Sequence, residues 1–225
     1  YADGNVRPEY TYHDLEFGDS IQLCIDGTAE GFGQEREMTD PGPNGVQHFV
    51  QMGWYGSSAL SRVNQWGFLG SFFNRLDSAF GQASRLTQVP FDFPSTVTSM
   101  SGIFQGDTLF NDFAVTAWDT SNVTDMSYAF ADASNFNQDI SVWRTDNVTN
   151  MASMFTRAAN FNQDITAWKT GNVIDMSFMF DGATSFNQDI NYNPATGAWD
   201  TSKVMDMKGM FENAHAFNGD ISYWV

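Results

Sequence analysis

Four aspartates occupy one position of a recurring phrase: Asp139, Asp164 and Asp189 in three copies of "FNQDI", and Asp220 in a fourth copy, "FNGDI". A column of carboxylates could share a cation, and calcium suits it because calcium takes oxygen ligands. The phrase has a second use. Asn and Asp side chains accept hydrogen bonds from nearby backbone N–H groups at corners. Repeated Asn also forms amide ladders between stacked chains. The corner role carries more weight, because the phrase lacks the denser Gly-Asp pattern of dedicated calcium coils.

Three further columns could do chemistry. Trp118, Trp143, Trp168, Trp199 and Trp224 could form a sugar-stacking strip, or sit in the core with their N–H groups bonded locally. Thr120, Thr145, Thr170 and Thr201 could line a flat ice-binding face. That face needs a second Thr column; Thr124 and Thr149 begin one, but Ile174 and Met205 end it. Asn122 and Asn147 open "NVT" sequons, which would carry glycan only in a protein secreted by a eukaryote. Asn172 repeats the position without a sequon, which points to a turn role. Support for catalysis is thin. His13, His48 and His215 do not recur between units, and no nucleophile elbow, metalloprotease or phosphate-loop pattern occurs. The expectation is a protein that is not an enzyme and has no cofactor, calcium aside.

These columns exist because the chain repeats. The Trp residues are spaced 25, 25, 31 and 25 apart, and the six extra residues fall in an Asn-Pro- and Gly-containing loop at 191–198. The period runs backwards with decay through residues 97–112 and 73–86, giving about six coils. Within one unit the apolar residues are Val123, Met126, Phe130, Ala133, Phe136, Ile140 and Trp143. Their spacing of three and four mimics an amphipathic helix. A helix of about 130 residues, interrupted in every unit by Thr-Ser-Asn and Asn-Gln-Asp, is implausible. A β-rich solenoid is expected instead, with short strands at 123–126 and 136–140 and a helical or 3₁₀ turn at 127–131. Stacking would build a core ladder of Phe130, Phe155, Phe180 and Phe211 beside one of Met126, Met151, Met176 and Met207.

These units resemble the BspA-like leucine-rich-repeat surface proteins, in which segments similar to "WDTSNVTDMSYAF" are followed by "FNQDI". The resemblance covers roughly residues 60–225. "RVNQWG" at 62–67 looks like the usual entry to such an array. "YTYHDLEFGDSIQLCIDGTAEGFG" at 10–33 is similar to the last strands of a β-sandwich that often precedes it. Residues 1–59 then read as a β-strand cap on the first coil. The resemblance implies a leucine-rich-repeat-like solenoid displayed outside the cell for adhesion or protein contact. It implies no catalytic residues.

Bulk properties narrow the partners. A net charge of −17 argues against nucleic acid and against anionic membrane surfaces, and leaves room for cations or basic proteins. Cys24 is alone, so neither an internal disulfide nor a Cys-based zinc site can form. No run of 18 apolar residues occurs, so no membrane span is expected. The chain starts at Tyr1, which reads as a processed product whose targeting segment is gone. The expected location is extracellular or the cell surface, with the lumen of an organelle as the alternative. Two roles follow: a surface that binds a protein partner, or a structural subunit that packs into a larger assembly through an end-on contact at its C-terminal coil.

Overall fold

The structure is a computed structural model that describes residues 61–63 and 74–224. The expected cap at 1–59, its Cys24, His13 and His48, and most of the 62–67 entry segment lie outside the described residues.

From residue 74 onward the chain winds through coils that meet at one parallel bridge each, linking Arg75, Ser99, Asp125, Asn150, Asp175 and Asp206 in succession. The strand-rich, leucine-rich-repeat-like solenoid expected from the sequence does not form. Strand accounts for 7% and helix for 3% of the described residues, and there is no sheet. Residues 123–126 contribute one bridge, at Asp125, and 136–140 pair with nothing in strand fashion. The expected helical turn at 127–131 is a run of tight turns.

The backbone hydrogen bonds explain the difference. N–H groups of Met126, Tyr128, Phe130 and Asp132 donate to Asn150, Ala152, Met154 and Thr156 of the next coil, at 2.7–3.0 Å. The N–H groups between them, of Ala129, Ala131 and Ala133, donate three residues back within their own coil, to Met126, Tyr128 and Phe130. In a sheet those alternate groups would reach the opposite neighbour. Here they close turns, so every group is paired and no strand extends. Two residues per coil make this possible by taking left-handed backbone: Tyr128 at φ 56° and Asp132 at φ 61°, matched one coil on by Ser153 and Arg157. Gly102 and Gly106 fill the same two places in an earlier coil, where the conformation carries no Cβ penalty.

Apolar residues at spacings of three and four all reach the same interior. Phe130 stacks on Phe155 at 5.7 Å, Phe155 on Phe180 at 5.6 Å and Phe180 on Phe211 at 5.6 Å. A second column, Phe136, Phe161, Phe186 and Phe217, runs beside it at 5.9–6.0 Å per step. The two columns touch within each coil, as in the Phe155–Phe161 pair at 3.9 Å. Met126, Met151 and Met176 are fully buried, whereas Met207 and Phe211 of the 199–224 coil are only partly so. The 97–122 coil has one extra residue: Phe110 to Trp118 takes eight steps where Phe136 to Trp143 takes seven. The extra residue is wound into a 3₁₀ turn, Phe113–Ala117, whose N-cap Asp112 accepts from the Ala114 N–H. The 191–198 insertion closes on itself through an antiparallel bridge between Asn193 and Ala198.

Candidate functional site

The recurring phrase is a joint between coils. Asn137 Oδ1 accepts from the Asn162 N–H at 2.9 Å, Asn162 Oδ1 from Asn187 at 2.9 Å, and Asn187 Oδ1 from Asn218 at 2.7 Å. Gln163 and Gln188 reach back to the carbonyl and the side-chain oxygen of Asn137 and Asn162. This segment cannot use a strand ladder, so its side chains supply the inter-coil bonds.

The four candidate calcium ligands accept from backbone N–H groups, three of them two residues on and Asp189 from the next coil. Asp139 accepts from the Ser141 N–H at 3.0 Å, and Asp164 from the Thr166 N–H and hydroxyl at 2.9 and 2.7 Å. Asp189 accepts from the Asp220 N–H, and Asp220 from the Ser222 N–H, each at 2.9 Å. The Ser141 hydroxyl and N–H hold the Asp139 carboxyl below the usual carboxylate range, and the Ser222 N–H and hydroxyl do the same for Asp220. Any stability these exposed caps contribute is present above the unfolded pKa and is lost as the pH falls through the folded value. Among the described residues, no group of three or more acidic, His or Cys side chains is placed to hold a metal ion. Melting curves in chelator and in millimolar calcium are therefore expected to coincide. A midpoint raised by calcium would show that the column binds it, since a ligand of the folded state stabilises that state.

The Trp and Thr columns face inward. Trp143, Trp168 and Trp199 are buried, and their Nε1–H groups donate to Val115, Ile140 and Ile165 carbonyls of the preceding coil at 2.9–3.2 Å. Neither face of these rings is open to a sugar. Thr120, Thr145, Thr170 and Thr201 are buried as well. The Thr145 hydroxyl donates to the Lys169 carbonyl at 3.0 Å and accepts from the Lys169 N–H at 2.8 Å. The sequon asparagines are exposed, but both amides cross to the preceding coil: Asn122 to Ser95 O at 2.8 Å and Asn147 to Ser121 O at 2.7 Å. Asn172, which has no sequon, does the same to Asp146 O.

One residue escaped the sequence reading. Asp107 is completely buried, and neither of its carboxylate oxygens has a hydrogen-bond partner among the described residues. Aligning 97–112 on 123–138 places it on Ala133. The corresponding residues in other coils are Ala83, Ala158, Ala183 and Ala214. The signal was an acid in a column of alanines, masked because the neighbouring apolar positions matched so well.

The repeated joints, the two phenylalanine columns and the inward Trp and Thr define the class: a repeat protein of stacked, turn-built coils. The family described as "Mycoplasma protein of unknown function, DUF285" matches residues 74–193 and 190–225, and the chain belongs to it. No curated protein and no solved structure matches the chain. Among the described residues, no helix is long and apolar enough to cross a membrane.

Proposed function

We propose that the chain is a non-enzymatic scaffold that presents a binding surface to a protein partner, outside the cell or on its surface. The observation behind this reading is a division of labour within each coil. Side chains that recur, namely the Asn, Thr, Trp and Phe columns, are taken up in joints between coils. Several positions that change from coil to coil face water. One such column runs Thr124, Thr149, Ile174, Met205; another includes Val142 and Tyr223 beside the Trp positions. A rigid frame with variable exposed positions suits recognition. The similarity of the repeat to BspA-like surface proteins supports display outside the cell, and the net charge of −17 favours a basic partner.

A second reading is a structural subunit. It draws on the 199–224 coil, where Phe211, Phe217, Ile221 and Trp224 are only partly buried, unlike their counterparts in the middle coils. The two readings separate in one experiment. Cross-linked pull-down from the native source is run with the wild-type chain and with an Ile174→Asp/Met205→Asp variant. A discrete partner lost in the variant supports the binding surface. A partner captured equally by both, together with concentration-dependent sedimentation of the isolated chain, supports end-on packing. Capture of nothing by either overturns the binding scaffold.

A further inference from the structure

A carboxyl group buried without a donor is costly when charged, because nothing replaces the water it loses. Asp107 is in that position. The register sets it in line with the fully buried Ala83 of the coil before and Ala133 of the coil after, and on its own coil its N–H donates to the Phe104 carbonyl while its carbonyl accepts from the Phe110 N–H. The rings of Phe104 and Phe110 stack at 3.9 Å. No described charged side chain on the packed coils bonds to the Asp107 carboxylate. On the preceding coil Asp77 bonds to Arg75 and Ser99, and Arg85 is exposed. On its own coil Asp112 accepts from the Val89 and Ala114 N–H groups. On the following coil Asp125 accepts from Ser127, and Asp132 pairs with Arg157.

We propose that Asp107 is a proton-operated joint: its coil packs fully against both neighbours only while the carboxyl keeps its proton. Each coil of a repeat array is stabilised mainly by its neighbours, so a charge at this one level loosens the stack locally. The coils of Phe155 and Phe180 carry Ala158 and Ala183 at this position and have no such dependence.

Burial pushes Asp107 up from 3.8 to about 8, against a smaller pull from the Ala83 N–H, which itself donates to the Phe80 carbonyl at 2.8 Å. The folded state thus holds the proton more tightly than the unfolded chain. Stability is full below the unfolded pKa of 3.8, declines as the pH rises, and levels off above about 8. Across that window the unfolding equilibrium constant rises by up to about tenfold per pH unit. The device would make the early coils firm in an acidic setting and looser in a neutral or alkaline one.

The test compares the wild-type chain with Asp107→Ala and Asp107→Asn. The Ala variant installs the residue that the other coils carry, so it is expected to fold. Thermal melts are recorded from pH 5 to 9. Hydrogen exchange, corrected for intrinsic rates, follows the Phe104 and Gly106 amides against those of Phe155 and Arg157. In the wild type, protection at Phe104 and Gly106 should fall relative to Phe155 and Arg157 as the pH rises. In Asp107→Ala the ratio should stay constant, with a higher melting midpoint at pH 8. If Asp107→Asn does not fold, the Ala variant alone decides. Equal pH profiles in wild type and Asp107→Ala overturn the proposal, as does a wild-type ratio that does not change with pH.

Discussion

Phe155→Ala is expected to destabilise the fold by about 3–5 kcal/mol, the range for removing a buried ring that its surroundings cannot collapse to replace. Phe155 has no exposed surface. It contacts rings on three sides: Phe130 at 5.7 Å, Phe180 at 5.6 Å and Phe161 at 3.9 Å. Collapse is blocked because the neighbouring coils are pinned by backbone bonds such as Phe155 N–H to Met179 O and Phe130 N–H to Met154 O, both 2.9 Å. The cavity therefore persists. It lies in the middle of the array, where a weak link lowers the coupling between the coils on either side. Denaturant unfolding should show a lower midpoint and a broader, less cooperative transition. An unchanged midpoint would mean that Phe155 is outside the column.

Thr145→Val should have the second-largest effect, about 1–3 kcal/mol, the cost of leaving a buried polar group without its partner. The substitution keeps the shape of the side chain and removes only the hydroxyl. Both the N–H and the C=O of Lys169 lose their partner at once. Thr145 has 1% of its surface exposed, so water cannot stand in. The same change at exposed Thr149, whose hydroxyl donates to the Thr124 carbonyl at 3.1 Å, should cost far less because solvent can replace it. Measured side by side in equilibrium unfolding, equal losses at the two sites would show that burial does not set the cost.

The period, and the positions of the rings within it, could be read directly from the residues. Aromatic side chains at fixed intervals have one economical arrangement, which is to stack on their own copies. The backbone between them could not be read that way. Spacings of three and four suit helix turns, 3₁₀ turns and alternating tight turns equally well, and strands only poorly. What decides is left-handed backbone at Tyr128, Asp132, Ser153 and Arg157, and those residue types do not announce it. Asn and Gly do, but only some coils use them at these places. The facing of the Thr column was illegible for a related reason. A regular row of hydroxyls looks the same in sequence whether it faces water or bridges two backbones. Asp107 was visible only after the register was set, because its meaning depends on the alanines above and below it.

The bonds between coils link each coil to the next, and this sets how the protein would respond to being pulled. Tension on the ends of the stack passes through every joint in series. The end coils, each held by one neighbour instead of two, would open first. The chain would then come apart coil by coil, each rupture releasing about 80–90 Å of slack from a 25-residue unit. The unit between Trp168 and Trp199, with 31 residues, would release a visibly longer step and so mark its own place in the trace. Such a tether yields in small increments under load and keeps its remaining coils intact.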